Sequence, residues 1–396
     1  MEKNKKFLFF AATLIIIAAM AEGALRLYYH LRNSTFHPSK AAYDTVGEYY
    51  GKYTTFPMME YSQHLGFRPI PNFKGKGYNT NADSFRYDIT FPQKKPKGEY
   101  RIFVVGGSTA WGAGVKQDQL YSRIAEQELK AQCVAPFTAR VISAGVGAFV
   151  SAHERILIID HIAKFEPDLI VMFDGWNDIW YGYQGILPGE TIDYLNVAPP
   201  LQRAMPDRIS IKPKKLDTLK PPSYNSHFFK LHFLLKQTLF RLKAVKEAEE
   251  FEQLALSPES VLEAYLKNIH VVKDFSSRIN AKLMIYLQPS IYSTKKNLAV
   301  YEKELMERYK FYVNLVKYNR TLYKLFRERV PRDAKKENYL FSDADNSIYR
   351  EVKAVFADQV HFGDRGNRLI GKHLAKILKP ALAQKGLTCI NLTGAL

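Results

Sequence analysis

Tyr100-Arg101-Ile102-Phe103-Val104-Val105-Gly106-Gly107-Ser108-Thr109 carries an apolar run into two glycines and two hydroxyl side chains. A run this short, closed by glycine, predicts a buried strand over Tyr100 to Val105 that ends in a tight turn. Two later stretches repeat the arrangement. Thr138 to Ala144 reads as a strand breaking into Gly145-Val146-Gly147-Ala148, and Asp168 to Phe173 as one running into Asp174-Gly175-Trp176-Asn177-Asp178. Helical patterns over Gln119 to Gln132 and Ala152 to Phe165 separate the three. After a long detour, Pro258 to Asn280 reads as a helix and Lys282 to Leu287 as a fourth strand. Asn297 to Arg329 is helical in pattern, and Tyr339 to Phe341 is a short fifth strand. Strands alternating with helices imply an α/β fold, a three-layer α/β/α sandwich with a central parallel sheet.

In an open parallel sheet the ligand sits at the carboxyl ends of the strands. That brings Ser108, the glycine turn before Ala148 and Asn177 toward one place. A serine hydroxyl is inert until a base takes its proton, and the base is held in one tautomer by a carboxylate. Asp358-Gln359-Val360-His361 supplies both groups on a short loop before the helical pattern Arg365 to Leu378. The implied triad runs Ser108, Asp358, His361. Acyl transfer also needs donors facing the oxyanion, which the Asn177 amide and backbone N–H groups of the glycine turn offer.

Each stretch alone has a plainer reading. Gly-Gly-Ser-Thr also suits a phosphate-cradling turn, Asp-x-x-His a helix cap, and Gly-x-Asn-Asp a turn. Their joint occurrence, in this order and at strand or helix ends, favours the hydrolase reading. The Gly-x-Ser-x-Gly elbow fits less well, because Ala110 stands where its last glycine belongs. His64, His153, His161 and His373 have no comparable company and read as packing or surface residues. Asp178 reads as a local turn or cap residue. Trp176 suits either the floor of an acyl pocket or simple packing.

The chain resembles the SGNH (GDSL-like) hydrolase superfamily over about residues 79 to 380. Gly107-Ser108-Thr109 is similar to the family's Gly-Asp-Ser block, with Gly in place of Asp as in membrane-anchored members. Gly175-Trp176-Asn177-Asp178 is similar to its Gly-x-Asn-Asp block and Asp358-Gln359-Val360-His361 to its Asp-x-x-His block. Asn81-Ala82-Asp83-Ser84-Phe85-Arg86 resembles an Asn-x-x-Gly-Phe-Arg leader that precedes the first strand in secreted bacterial members. The family's second block offers a glycine N–H to the oxyanion hole. The best register puts Ala148 there, with Gly147 one residue early. An alanine keeps that N–H provided the backbone does not need positive φ. The resemblance therefore implies Ser108, Asp358 and His361 as catalytic residues. It implies an oxyanion hole of Ser108 N–H, Ala148 N–H and the Asn177 amide.

Lys3, Lys5 and Lys6 precede Phe7 to Ala21, which holds no charged residue. Such a start predicts a cytoplasmic N-terminus and export of the remainder of the chain. The favoured reading is an uncleaved transmembrane anchor over residues 1–27, with Arg26 pairing Glu22. The competing one is a signal peptide cleaved after Ala19-Met20-Ala21. The anchor implies localisation at the cell membrane, single-pass, with the catalytic domain periplasmic or extracellular. Residues 28–97 read as an extended stalk packing on the domain, 98–385 as the catalytic domain and 386–396 as a tail. Within the domain, 180–257 is an excursion rich in Pro and then in Phe and Leu. It leaves from the active-site rim, so a lid and a peripheral or membrane-lying helix both fit.

The chain has 396 residues, 46% of them hydrophobic, enough for one large catalytic domain. Its net charge of +18 suits an anionic membrane surface or an acidic glycan or lipid substrate. No nucleic-acid motif accompanies that charge. Cys133 and Cys389 are permitted to pair in an exported chain, but their spacing does not decide it. No metal-ligand spacing is present, and the chemistry implies no cofactor. The expected activity is a serine esterase acting on O-acetyl or acyl esters of an envelope glycan or lipid. An O-acetyltransferase of an envelope polysaccharide using the same triad, and an idle anchored binding protein, are the alternatives.

Overall fold

β1 (Met59–Ser62) and β2 (Gly66–Pro69) form an antiparallel hairpin ahead of the main sheet. That sheet has five parallel strands, β3 (Glu99–Gly106), β5 (Thr138–Ser143), β6 (Leu169–Phe173), β7 (Lys282–Leu287) and β8 (Leu340–Asp343). Their order across the sheet is β5-β3-β6-β7-β8. Ile102 pairs with Val141 on one side and Leu169 on the other. The first strand of the sheet is thus second in space. The chain leaves it for one edge and then crosses back to β6. This is a topological switch point, and it opens a crevice at the carboxyl ends of β3 and β6.

The computed structural model describes residues 9–10, 13, 16–24, 26–27, 59–62, 64–75, 77–134, 136–187, 255–308, 313–386 and 388–389. The chain divides into two units, Met1–Ala41 with Lys214–Glu250, and Ala42–Pro213 with Phe251–Leu396. In the first, the described residues are helical. Arg26 and Glu22 form an ion pair at 2.8 Å, and Phe9, Phe10, Ile16, Ile17, Met20 and Leu27 are exposed. Among the described residues no helix is long and apolar enough to cross a membrane. The transmembrane helix expected over residues 1–27 therefore does not appear in the described part of that segment.

The second unit holds all the elements named here. Its helices are α1 (Ser108–Trp111), α2 (Tyr121–Gln132), α3 (Ser151–Leu157), α4 (Trp176–Tyr183), α5 (Pro258–Arg278), α6 (Val300–Arg308), α7 (Val313–Glu337) and α8 (Asp364–Ala383). Residues Ile102 to Val105 and Leu169 to Phe173 are wholly buried, as expected of central strands covered on both faces. Alternation assigns the faces. Phe103, Val105, Ile142, Ile170, Met172, Leu283 and Ile285 join one core with Val261, Tyr265 and Ile269 of α5 and Leu322 and Phe326 of α7. On the other face Phe173 lies between the rings of Tyr121 on α2 and Tyr286, and Tyr286 stacks on His373 of α8.

Local sequence sets the element ends. Ser257 accepts the Ser260 N–H at 3.1 Å and Pro258 opens α5, a side-chain cap followed by a residue with no donor to leave unpaired. The helix pattern that reached Asn280 in the sequence ends at Arg278, because Asn280 turns left-handed (φ 59°) to enter β7. The α3 segment does not continue as one regular helix. It widens into a π turn over Ile158–Ile162 before a tight last turn at Ala163–Phe165.

Three of the expected peripheral segments fall partly outside the described residues: 28–58 of the stalk, 188–254 of the excursion and 390–396 of the tail. Of the stalk, Leu65, Phe67, Phe85, Tyr87 and Phe91 join the main core. The excursion leaves and returns at one point, where Leu256 N–H donates to Gly182 C=O at 2.9 Å. In the tail, β9 (Thr388–Cys389) pairs antiparallel with β4 (Cys133–Val134), and a disulfide joins Cys133 to Cys389.

Candidate active site

Ser108 is the first residue of α1, immediately past β3. The turn that puts it there has no room for side chains. Gly106 has φ 143°, and a Cβ on it would meet the Phe173 carbonyl oxygen at 2.2 Å. A Cβ on Gly107 would meet Asn177 Nδ2 at 2.2 Å and the Phe149 carbonyl oxygen at 3.3 Å. Gly107 therefore stands where an Asp side chain would collide with the Asn177 amide as it is placed here. The glycine lets the nucleophile candidate, the Asn amide and the Phe149 carbonyl share one corner.

The Asp358–His361 loop comes to the same corner. His361 Nε2 lies 2.7 Å from Ser108 Oγ, and His361 Nδ1 lies 2.8 Å from Asp358 Oδ2. Asp358 Oδ1 accepts the backbone N–H groups of Val360 (2.9 Å) and His361 (2.8 Å). One carboxylate thus fixes its own loop and faces the ring. Because an ionised carboxylate only accepts, the proton belongs on Nδ1, and Nε2 is left to accept from the serine. A proton can pass from Ser108 to His361 in this geometry, with Asp358 stabilising the imidazolium.

The loop is braced from three sides by residues the sequence did not single out. Buried Glu302 accepts the Val355 and Phe356 N–H groups at 2.8 and 3.1 Å. It also pairs with buried Lys296 at 2.5 Å, so the charge is matched where it is buried. Ile291 N–H donates to the Gln359 carbonyl at 2.9 Å. Buried Gln288, one residue past β7, donates through Nε2 to Thr109 Oγ1 at 2.9 Å. Thr109 in turn reaches the Val360 carbonyl at 3.4 Å. A glutamine at the end of an apolar strand was the one legible signal among these.

Asn177, near the start of α4, donates through Nδ2 to the Phe149 carbonyl at 2.7 Å. The turn Val146 to Phe149 is closed by Phe149 N–H donating to Val146 C=O at 3.2 Å. Ala148 occupies its third position with φ 68°, the left-handed region that favours glycine. The backbone here needs positive φ after all. The alanine adopts it, and Gly147, one residue early, does not relieve it. Ser84 of the leader-like segment, which stands where that leader has Gly, is also left-handed (φ 66°).

Beneath these turns Glu154, Asp174 and Asp178 are buried together. Asp178 accepts the Ser151 hydroxyl at 2.6 Å and the Ser151 N–H at 3.1 Å. It therefore caps a helix 27 positions away in sequence rather than its own turn. Tyr265 OH donates to Asp174 Oδ1 at 2.8 Å, and Asn268 Nδ2 to Ser151 Oγ at 3.0 Å. Burial pushes the Asp178 carboxyl up to about 6. Burial, then the charge of Asp178, pushes Asp174 up to about 8. Burial also drives Glu154 well above its ordinary value, with Asp174 and Asp178 adding to it. Near neutral pH, Asp178 is the charged member of the pair and Asp174 the protonated one.

Among the described residues, His64, His153, His161 and His373 lie apart from this chemistry. His153 is buried against the Phe149 ring, and burial holds its pKa well below the ordinary value. His161 meets the Asp83 carbonyl, His373 the Tyr286 hydroxyl, and His64 lies 3.4 Å from Asp160. Trp176 is buried between Trp180 and Tyr292. Among the described residues, His270, Asp333 and Glu337 bring three possible metal-ligand atoms within 4.8 Å of one another. Asp333 there already takes His270 Nε2 at 2.9 Å and the Tyr339 hydroxyl at 2.8 Å.

No protein-family model matches the chain, and no curated protein matches it. Among solved structures it is similar to a GDSL-like lipase from Bacteroides thetaiotaomicron, at 12% identity over 74% of this chain and 93% of that one, with a TM-score of 0.36. An acetylxylan esterase from Geobacillus stearothermophilus gives 12% identity over 72% and 94% of the two chains and a TM-score of 0.35. An aryl esterase of M. smegmatis gives 13% over 71% and 99%, with a TM-score of 0.33. Likeness this distant leaves the chemistry to be read from the chain's own residues.

Proposed function

We propose that the protein is a serine esterase of SGNH type, with Ser108 as nucleophile, His361 as general base and acid, and Asp358 orienting His361. The observation that carries the reading is the unbroken chain of contacts from Ser108 Oγ to His361 Nε2 (2.7 Å) and from His361 Nδ1 to Asp358 (2.8 Å). Ser108 Oγ attacks the ester carbonyl carbon while His361 Nε2 takes its proton. The tetrahedral oxyanion faces the N–H groups of Ser108 and Ala148 and the Asn177 amide. Collapse breaks the bond to the alkoxide, which leaves with the proton from His361. Water, deprotonated by His361, then attacks the acyl-enzyme and returns Ser108.

The substrates proposed are O-acetyl or acyl esters of an envelope glycan or lipid, and the +18 net charge favours anionic ones. The enzyme would work outside the cytoplasmic membrane, tethered through the apolar segment Phe7 to Ala21. Two observations favour this: lysines ahead of that segment, and a disulfide, which persists in oxidising compartments. Hydrolysis of p-nitrophenyl acetate by the purified chain, lost in Ser108→Ala, tests the activity. Acetate appearing on an added sugar instead of in water would point to the O-acetyltransferase. No turnover with either acceptor would favour a binding protein.

A further inference from the structure

Arg86 closes the segment Asn81 to Arg86, for which the proposed chemistry has no use. Its side chain is buried, at 1% exposure. Nη1 donates to the carbonyls of Trp111 (2.8 Å) and Gly112 (2.7 Å), Nη2 to that of Val115 (2.6 Å), and Nε to Gln117 Oε1 (3.1 Å). The guanidinium also faces the rings of Trp111 and Tyr78 at 5.4 and 5.8 Å. Asn81 shapes the approach. Its Oδ1 accepts the N–H groups of Asp83 and Phe85, both at 3.0 Å, and its Nδ2 donates to the Ile89 carbonyl at 3.2 Å. The Arg86 N–H donates to the Ser143 carbonyl at 3.1 Å, which ties the segment to the edge strand β5.

The target of this side chain is the turn that begins with Ser108. α1 has four residues, and a helix of one turn cannot hold itself, because nucleation costs more than a single turn returns. Its last carbonyls have no partners of their own within the helix. The guanidinium takes that of Trp111, the last of the helix, together with that of its cap Gly112, and so fixes the turn from the end opposite the nucleophile. We propose that Arg86 is a positioning residue for Ser108, and that the Asn81 to Arg86 segment serves to deliver it. The consequence for rate rests on the serine-esterase reading above; the clamp on α1 does not. Lysine cannot replace the fork, since Nη1, Nη2 and Nε reach the α1 end, Val115 and Gln117 at once, and a single ammonium cannot present three nitrogens in one plane.

The test compares the full-length wild type with Arg86→Lys and Asn81→Ala, the second of which loosens the approach without leaving a buried charge unpaired. In Arg86→Lys, fluorophosphonate labelling should slow by about 10- to 100-fold, the cost of a misplaced reacting atom, with KM for p-nitrophenyl acetate unchanged. Amide exchange over residues 108–115 should quicken by about 10-fold while β6 and β7 keep their protection. Asn81→Ala should show the same pattern more weakly, and it decides the matter if Arg86→Lys does not fold. Unchanged labelling and unchanged local exchange would overturn the proposal. So would a loss of protection spread evenly over the sheet, which is the mark of a merely structural residue. A wild type that takes no label refutes the esterase reading, and the exchange arm still decides the clamp.

Discussion

Replacing Ala148 with glycine should make the protein slightly more stable and leave its activity intact. Ala148 sits at φ 68° in the third position of its turn. An L-residue in that region costs about 1–2 kcal/mol relative to its right-handed conformation, and glycine escapes the cost. Against this, glycine loses more chain entropy on folding, about 0.4–1 kcal/mol. The balance is a gain of about 0.8 kcal/mol, within a range of about 0 to 1.6 kcal/mol. For a chain of this size that is a rise in Tm of about 1–3 °C. The backbone N–H proposed to face the oxyanion is kept, so kcat should stay within about threefold of wild type. Ala148→Val should move the other way, because a β-branched side chain tolerates positive φ worse than alanine. Ala148→Pro is a poor probe of the N–H, since proline needs φ near −65° and breaks the turn itself. Urea denaturation and steady-state hydrolysis of one ester would measure both quantities. A glycine variant less stable by more than about 1 kcal/mol would refute the reasoning, because the methyl group would then be worth more than the strain it causes.

Asn177→Ala should lower kcat by about 10²–10³ with KM little changed, the loss of one oxyanion donor, and a fall of less than about fivefold would remove Asn177 from that role. Asp174 couples stability to pH. Its folded pKa is raised from 3.8 to about 8, so the native state holds a proton that the unfolded chain releases. Its contribution is full below the unfolded value and is lost as pH rises toward about 8. Urea titrations at several pH values should show wild type losing stability across that window, and Asp174→Asn, which keeps an acceptor for Tyr265, should flatten the loss. An identical slope in both proteins would remove Asp174 as its cause. Alkaline phosphatase fused after residue 40 should be active only outside the cytoplasm, and activity confined to the cytoplasm would contradict the proposed orientation.

The groups proposed to react were legible because each sits at a sequence-local signal. Ile102 to Val105 ending on Gly106-Gly107 announces a strand and the turn that exposes Ser108. Asp358 and His361 are three residues apart, so their contact needs only a short loop. The contacts of the braces were not legible, even where a polar residue ending a strand stood out as Gln288 does, because they are distant in sequence and set by packing. Gln288 meets Thr109 across 179 positions, and Glu302 meets Val355 across 53. Asp178 was readable as a cap, but the helix it caps begins at Ser151, which only the juxtaposition of β6 with the β5 turn explains. Ala148 shows the opposite limit. The register placed it correctly in the turn, yet alanine gives no sign of positive φ, which is imposed by closing Val146 to Phe149. The excursion over 180–257 has the composition of a rim lid or a packed helix, and periodicity does not choose between surfaces. Its return to Gly182 at Leu256 depends on a contact 74 positions long that no local pattern encodes.

Labelling with a fluorophosphonate, followed by intact mass and peptide mapping, tests the Ser108–His361–Asp358 assignment most directly. The expected result is one label per chain, on the peptide containing Ser108, absent from Ser108→Ala. His361→Ala should react far more slowly, and a Ser108→Ala, His361→Ala double variant should have no less activity than Ser108→Ala alone, because triad members act as a unit. A wild type left unlabelled, or a Ser108→Ala chain that still takes the label, would contradict the assignment.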